Sequence, residues 1–374
     1  MNYCVGMDVS TLIDLGSEGA KFFDEGKEGE LLSILKANGV NSIRVRLWRD
    51  PHDENGESYG AGTCDLSHAL KLGKRIKEAG MHFLLDIHYS DFWCDPNRQI
   101  PPKAWQNYSF DQILTAVDAY SEAVLTAFKL NDCMPDMIQV GNEITNGILW
   151  DYGKLTCQED GTCTGYDDLC TILKSAIKGI KKVTDCPLCI HLERSFDNFR
   201  YREYFDNLVS HNVPFDSIGI SYYPYYHHGY DEMIANISDM ADRYDKDIYV
   251  VETSYAFTTK HFDGPGKDLV ISEGFRPDGY ELPYPLTPEG QTLFVEELLD
   301  RLVQVKKFKG IYYWEPAWIP TPKGTWASYG ARVYMNETCK EGGNEWANQC
   351  LFDYEGNSLP ALKVFREFNE KYNG

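Results

Sequence analysis

The chain has 374 residues, of which 43% are hydrophobic and 25% charged, so it is long enough for a barrel domain with insertions and ordinary in composition for a globular protein. Its formal net charge of −21 repels phosphate backbones and anionic membranes, which argues against nucleic-acid, membrane and polyanionic partners and leaves neutral polymers open. Aromatic residues reach 14%, which fits either a Tyr-rich core or a surface that stacks on sugar rings.

Short apolar runs alternate along the chain with longer stretches of helical periodicity. The runs predict eight strands, at Tyr3–Asp8, Ser42–Trp48, His82–Tyr89, Asp136–Glu143, Pro187–Glu193, Phe215–Pro224, Asp247–Ser254 and Gly310–Pro316. The helical pattern is clearest at Glu28–Asn38, Ser67–Gly80, Asp111–Lys129, Tyr166–Val183 and Pro288–Lys307. In KANGVNSIRV and KEAGMHFLLD a helix ends at a glycine and leads directly into a strand.

Eight strand–helix units predict an α/β fold, a single closed (β/α)₈ barrel over residues 1–374, with long loops after strands three, four, seven and eight. The competing fold is a doubly wound open sheet. Such a sheet usually carries a Gly-rich phosphate-binding turn after its first strand, where this chain has Val9-Ser10-Thr11-Leu12. The barrel is therefore the predicted architecture.

Two glutamates, Glu143 and Glu252, stand at the ends of apolar strands on nearly opposite sides of the predicted barrel. In such barrels, the catalytic residues lie at the C-terminal ends of the strands. A protonated and an ionised carboxyl group facing one cavity suit glycoside hydrolysis, and Asn142, just before Glu143, is placed to donate to a sugar 2-hydroxyl. The alternative is a pair of structural carboxylates.

Several motifs resemble glycoside hydrolase family 53, the endo-β-1,4-galactanases of a clan of retaining (β/α)₈ glycosidases. They are YCVGMDVSTL, NSIRVRLW, DIHYSDFWCDP, IQVGNEITNGILW, SYYPYY, VVETSY and YYWEPAWIP, in this order from Tyr3 to about Ala361. The resemblance implies that Glu143 is the general acid/base and Glu252 the nucleophile. It implies hydrolysis of the β-1,4-galactan of type I arabinogalactan and pectin side chains, or of derived galacto-oligosaccharides.

The resemblance also implies roles for neighbouring residues. Arg44 matches an arginine that supports the nucleophile, and Tyr222 matches a tyrosine that hydrogen-bonds it. Trp314 matches a stacking floor under the sugar at the cleaved bond. The other implied substrate-binding residues are His88, Asp91, Trp93, His191 and Trp318. Trp346 either lines the cleft or packs the C-terminal tail, and packing is favoured.

The chain departs from the family pattern in two places. Bacterial members hold calcium in a loop after the seventh strand, but TTKHFDGPGKDLV keeps only Asp263 and Asp268 as oxygen ligands, so neither a metal nor another cofactor is expected. The family usually has His-Leu-Asp after the fifth strand, where this chain has His191-Leu192-Glu193-Arg194. That difference bears on product length.

The N-terminus enters a strand almost at once, without a signal-like apolar segment, which favours a cytoplasmic protein over a secreted one whose signal was removed. Eleven cysteines, an odd number, fit that preference; a disulfide among Cys157, Cys163 and Cys170 fits export. Only Cys186 and Cys189 have metal-like spacing, so structural zinc is not favoured. A monomer is expected.

Three other functions remain open at this stage. A β-glycanase of the same clan acting on mannan or glucan would keep the glutamate pair. A non-catalytic sugar-binding barrel would keep the aromatics and lose one glutamate. A metal-dependent hydrolase would need clustered ligands, which Asp86-Ile87-His88 does not supply.

Overall fold

Eight parallel strands close into a barrel in the computed structural model, which describes residues 3–262, 269–337 and 343–374. The strands are β1 Cys4–Asp8, β2 Ser42–Leu47, β3 His82–Ile87, β4 Met137–Val140, β5 Leu188–Leu192, β6 Ser217–Tyr222, β7 Asp247–Thr253 and β8 Phe308–Trp314. Each strand pairs with its neighbours in sequence, and β1 pairs with β8. The predicted (β/α)₈ barrel is confirmed.

Helices surround the barrel. They are α1 Leu12–Ser17, α2 Leu31–Ala37, α3 Leu66–Glu78, α4 Phe110–Leu130, α5 Tyr166–Lys181, α6 Asn198–Ser210, α7 Tyr230–Tyr244, α8 Pro288–Leu302, α9 Tyr329–Met335 and α10 Ala361–Asn373. Antiparallel hairpins pair Phe22–Asp24 with Lys27–Gly29, Gly147–Ile148 with Gly153–Lys154, and Thr156–Cys157 with Cys163–Thr164. These hairpins lie outside the barrel sheet, and the strand pattern did not predict them.

Local sequence signals explain where the helices begin and end. Ser109 and Gln112 form a reciprocal capping box at the start of α4. Thr287 caps α8, and Pro288 occupies its first turn, where a missing N–H costs nothing. After α2 and α3, Gly39 and Gly80 adopt φ of 83° and 68°, the left-handed conformation that releases the chain into the next strand.

Four non-glycine residues just past strand ends have left-handed backbones. Tyr89, Glu143, Arg194 and Glu315 follow β3, β4, β5 and β8 with φ between 45° and 55°. Such conformations cost roughly 1–3 kcal/mol each and collect at functional sites. The predicted strands extend past the observed strand ends at these positions, because the backbone leaves the extended conformation there.

The barrel interior has an apolar lower layer and a charged upper layer. Leu84, Met137, Cys189 and Tyr312 fill the lower layer, and all are buried. Strand register builds the upper layer, since Asp8 lies opposite Arg44 and Arg46 opposite Asp86. The charged groups therefore gather at the C-terminal mouth.

Long segments follow β3, β4, β7 and β8 before the next barrel-covering helix. The one after β4 holds the Cys157–Cys163 disulfide, while Cys170 is free and buried. No helix in the described ranges is long and apolar enough to cross a membrane. These segments supply much of the wall around the barrel mouth.

A close approach of the backbones of β8 and β1 gives a stability prediction. A Cβ on Gly310 would lie 2.5 Å from both the Cβ and the carbonyl oxygen of Cys4 on the paired strand β1. We expect Gly310→Ala to lower the free energy of unfolding by about 1–3 kcal/mol, because backbone must move to make room. Denaturant titration measures this change in the free energy of unfolding.

The matched control is Gly16→Ala in α1, where an added Cβ meets nothing within 4 Å. Ala is a better helix former than Gly, so this variant should gain roughly 0.5–1 kcal/mol. A destabilisation equal in the two variants would contradict the steric explanation.

Candidate active site

The buried guanidinium of Arg44 contacts three carboxylates at the mouth of the barrel. Arg44 on β2 contacts Asp8 at 2.8 Å, Asp86 at 2.8 Å and Glu252 at 2.9 Å. Arg44, Asp8 and Asp86 are fully buried. Three carboxylates from β1, β3 and β7 thus share one cation, which holds the side chain of Glu252 against a rigid support.

A second arginine extends this network. Arg46 contacts Asp8 at 3.3 Å and Glu315 at 2.8 Å, and its guanidinium lies 4.6 Å from the centre of the Trp93 ring. Burial raises the pKa of Glu315 to about 7, against the opposing charge of Arg46. Glu315 also accepts a hydrogen bond from the Thr11 hydroxyl. Both of its carboxyl oxygens are therefore bound by protein groups.

Glu252, at the end of β7, is held at both carboxyl oxygens. Its Oε1 pairs with Arg44, and its Oε2 accepts a hydrogen bond of 2.9 Å from the Tyr223 hydroxyl. Burial raises the pKa of Glu252, and the Arg44 guanidinium and the Tyr223 hydroxyl oppose that rise. Both partners therefore favour the ionised form.

The predicted contact between Tyr222 and Glu252 was wrong, because the adjacent Tyr223 makes that contact. Tyr222 points away, donating to the carbonyl oxygen of His228 at 3.3 Å and packing on Phe294. Side chains alternate across a strand, so Ser221 and Tyr223 face the barrel interior while Tyr222 faces the helices. That alternation was the signal in SYYPYY that could have identified Tyr223.

Glu143 has a different environment. Its Oε1 accepts a hydrogen bond of 2.5 Å from the Ser221 hydroxyl, and no described cation lies within ion-pair distance of its carboxyl group. Burial, and then the charge of Glu252, raise the pKa of Glu143 well above its usual range. One carboxyl oxygen takes the serine hydrogen bond, which leaves the other for a proton.

His191 orients the hydroxyl group of Ser221. Burial and the charge of Arg44 lower the pKa of His191 well below its usual range, so the ring is neutral. Its Nδ1 accepts from the Glu143 backbone N–H at 3.4 Å, which places the proton on Nε2, 2.9 Å from the Ser221 oxygen. Nε2 therefore donates to Ser221, and Ser221 donates to Glu143.

Asn142 is positioned by its neighbours. Its Oδ1 accepts from Arg44 at 2.9 Å, and its amide nitrogen donates to the carbonyl oxygen of Cys94 at 2.9 Å. A primary amide has two N–H donors, so one remains for a ligand. This geometry fits the predicted donor to a sugar hydroxyl.

The glutamates open into a cleft of about 710 Å³. The predicted residues Trp93, Asn142, Glu143, Glu252 and Trp314 line it together. Lining residues that the sequence reasoning missed or ranked low include Arg46, Asp95, Glu193, Phe196, Tyr223, Tyr226, Trp326 and Trp346. For Trp346, tail packing was favoured over cleft lining; its ring stacks on Trp318 and lines the cleft.

Five predicted binding residues lie behind this lining. Arg44 and His191 act through the glutamates, as described above. His88 accepts from the Trp48 indole at 3.2 Å and contacts Asp86 at 2.9 Å. Asp91 accepts from the Lys103 backbone N–H at 2.7 Å, and Trp318 backs Trp346. In this structure, these five support the site instead of lining it.

Glu193 is the least satisfied carboxyl group in the lining. It is 3% exposed, and neither of its carboxyl oxygens has a hydrogen-bond partner among the described residues. Burial raises the pKa of Glu193 to about 7, opposed by Arg194 and Arg200. Its nearest cation is Arg194, at 3.4 Å.

Within the described ranges, no group of three or more His, Cys, Asp or Glu side chains is arranged to hold a metal ion. Asp263 and Asp268, the two oxygen ligands that the chain keeps from the family's calcium loop, lie outside the described residues. The absence of a cofactor therefore stays a prediction.

Residues 4–365 match the sequence model of glycosyl hydrolase family 53. The chain belongs to that family. The endo-β-1,4-galactanase of Bacillus subtilis (strain 168) is 32% identical to it over 98% of this chain and 86% of that protein. The arabinogalactan endo-β-1,4-galactanase A of Aspergillus niger is 33% identical over 84% and 85%. The predicted family and enzyme class, a glycoside hydrolase, are confirmed.

A solved family 53 structure has the same fold. The Ignisphaera aggregans GH53 catalytic domain superposes with a TM-score of 0.85 at 36% identity, covering 98% of this chain and 96% of that one. This family 53 enzyme therefore shares its barrel with a relative along nearly its whole length.

Tyr222, the last residue of β6, and the adjacent Tyr223 give a paired prediction for the family 53 enzyme. Tyr223→Phe removes the hydroxyl that donates to Glu252, a hydrogen bond to a charged group. We expect kcat/KM to fall about 10- to 100-fold. Since that hydroxyl lowers the pKa of Glu252, the acid limb of the pH profile should move to higher pH.

Tyr222→Phe is the matched control, because Tyr222 packs outside the cleft. It should keep kcat/KM and the acid limb near those of the wild type, with β-1,4-galactan as substrate. Equal losses in the two variants would contradict the assignment of Tyr223.

Proposed function

We propose that this family 53 enzyme cleaves internal β-1,4-galactosidic bonds of galactan by double displacement, with Glu252 as nucleophile and Glu143 as acid/base. The observation that carries the proposal is the contrast between two glutamates in one cleft. Glu252 is paired with Arg44 at 2.9 Å, whereas Glu143 receives a hydrogen bond from a neutral serine. The Arg44 cation favours the ionised form of Glu252, whereas burial and the charge of Glu252 favour the protonated form of Glu143.

In the first step, a Glu252 carboxylate oxygen attacks the anomeric carbon while Glu143 transfers its proton to the glycosidic oxygen. The C–O bond to the leaving sugar breaks, and a glycosyl ester forms on Glu252. Arg44 and Tyr223 hold the attacking group in place before the reaction. Asn142 has a free N–H for the sugar 2-hydroxyl, a contact that strengthens in the transition state.

In the second step, Glu143 has become a carboxylate and takes a proton from water. The water oxygen attacks the anomeric carbon, the ester bond breaks, and Glu252 returns as a carboxylate. The anomeric configuration is retained because two inversions have occurred. The Ser221–His191 chain keeps Glu143 in one position through both steps.

Three observations support galactan as substrate. The curated relatives reported above are named as endo-β-1,4-galactanases. The cleft is rich in tryptophan, with Trp93, Trp314, Trp326 and Trp346 in its lining, and indole rings stack on the C–H faces of sugars. The net charge of −21 favours a neutral polymer over an acidic one.

The assigned roles predict different losses for the two glutamates. Glu143→Gln should lower galactan turnover about 10²- to 10⁴-fold, the usual contribution of a general acid. On an aryl galactobioside whose leaving group needs no protonation, it should keep the first step, seen as an initial burst of released phenol, while steady-state turnover falls because Glu143 also takes the proton from water in the second step. Glu252→Gln should lose both activities, since no ester can form.

Initial-rate assays on both substrates measure these losses, and thermal unfolding confirms that each variant is folded. Glu54→Gln, at an exposed glutamate far along the chain from either group, is the control. Wild-type turnover in the Glu143 or Glu252 variant would remove that residue from the mechanism.

Product analysis tests the substrate. We expect purified enzyme to release galacto-oligosaccharides from unbranched β-1,4-galactan and nothing from mannan or carboxymethylcellulose. Cleavage of mannan or cellulose in place of galactan would keep the glutamate pair and reject the substrate. If no polymer is cleaved, galactotetraose distinguishes an oligosaccharide enzyme from an inactive sugar-binding barrel.

A further inference from the structure

We propose that the Cys157–Cys163 disulfide is a thiol-exchange site, at which a low-molecular-weight thiol becomes attached to Cys157 while Cys163 leaves as a thiolate paired with Arg200. The disulfide joins the two short strands of the hairpin that pairs Thr156–Cys157 with Cys163–Thr164. This disulfide hairpin belongs to the long segment after β4. The proposed glycosidase mechanism uses none of these groups, so the site is additional to the cleft.

The two halves of the disulfide have different surroundings. Cys157 is exposed, whereas Cys163 is half-buried beside α6. The Arg200 guanidinium on α6 donates a hydrogen bond of 2.6 Å from Nη1 to the Cys163 sulfur. A thiol that arrives from solvent therefore meets Cys157 first, and the bond that it breaks releases the sulfur beside the cation. Access and charge favour the same direction of exchange.

Arg200 is held in place by contacts that do not pass through the disulfide. Its side chain is buried, and Nη1 also donates to the Tyr166 hydroxyl at 3.1 Å and to the Glu203 carboxylate at 2.6 Å. Nη2 donates to the Thr145 carbonyl oxygen at 2.5 Å. Because these contacts persist when the sulfur–sulfur bond opens, the cation stays beside Cys163. The stabilisation of a thiolate at that position is therefore pre-organised.

The carboxylate of Glu203 opposes the effect of the cation. Its Oε2 accepts from Arg200 at 2.6 Å, and its Oε1 accepts from the Cys163 backbone N–H at 2.6 Å. The guanidinium contacts the sulfur itself, whereas Glu203 contacts the backbone of that residue, so we expect the cation to dominate. Tyr166 on α5 is neutral, because burial raises the pKa of its hydroxyl. Asp160, in the turn of the hairpin, is exposed, and solvent screens its charge.

The exchange balances as a thiol–disulfide reaction. The incoming thiolate attacks the Cys157 sulfur, a new sulfur–sulfur bond forms, and the Cys157–Cys163 bond breaks. Cys163 keeps the electron pair of that bond and leaves as a thiolate, and the proton of the incoming thiol passes to solvent. A second molecule of the thiol then removes the first from Cys157, which leaves both cysteines reduced and releases the oxidised thiol. A thiol that ionises readily is the better leaving group, so Arg200 accelerates the first step.

The first test is which cysteine carries the adduct. Protein purified without reductant is treated with glutathione, the reaction is stopped early with N-ethylmaleimide, and peptide mass spectrometry locates both labels. We expect glutathione on Cys157 and maleimide on Cys163, in roughly 10-fold excess over the opposite arrangement. The opposite arrangement, an equal mixture, a bond that does not react, or unbonded cysteines in the purified protein would each overturn the inference.

The second test measures how readily each thiol ionises. The Cys157→Ser variant leaves Cys163 as a free thiol, and the Cys163→Ser variant leaves Cys157 as one. The rate of alkylation of each thiol by iodoacetamide is followed against pH. A free thiol ionises at about pH 8.5, and we expect the midpoint for Cys163 to lie about 1 pH unit or more below the midpoint for Cys157. Equal midpoints would overturn the inference.

Charge variants of α6 test the sign of each contribution. In the Cys157→Ser background, Arg200→Met should raise the midpoint to that of Cys157, and Glu203→Gln should lower it further. Arg202→Met is the matched control, because Arg202 lies on the same helix and is paired with Asp239, so it should leave the midpoint unchanged. A midpoint that stays low in Arg200→Met would overturn the role of Arg200. If Arg200→Met does not fold, the two single-cysteine variants decide alone.

Discussion

The site depends on one buried cation shared by three carboxylates. Removing Arg44 and its partners from water is costly, and only close, multiple contacts offset that cost. The planar guanidinium makes them in fixed directions, at 2.8 Å to Asp8, 2.8 Å to Asp86 and 2.9 Å to Glu252. A lysine has no such fork, so it could not reach all three groups in the same geometry.

This arrangement separates the chemistry of the two glutamates. The Arg44 cation opposes the rise that burial causes in the pKa of Glu252, whereas burial and the charge of Glu252 raise the pKa of Glu143 well above its usual range. His88 and Asn142 serve the same end, because they hold Asp86 and Arg44 in place. A single network thus positions both glutamates and favours the protonation states that the proposed double displacement requires.

Around that rigid centre, the walls of the cleft come from the segments that follow the strands. Strained residues such as Glu143 and Glu315, with φ of 48° and 45°, turn the chain sharply at the barrel mouth. Tryptophans of the long segments and tyrosines of the short segment after β6 then line the cleft. The scaffold provides precision, and the loops provide the surface that meets the polymer.

The sequence by itself determined the barrel, the glutamate pair and the family. Period-two and helical patterns report burial on each element, and a glutamate at the end of an apolar strand signals a functional group. The partners across the barrel were decided by tertiary structure. Tyr223 and not Tyr222 reaches Glu252, and Asp91 turns away from the cleft towards Lys103. Such contacts depend on strand register and loop path, which one-dimensional patterns do not encode.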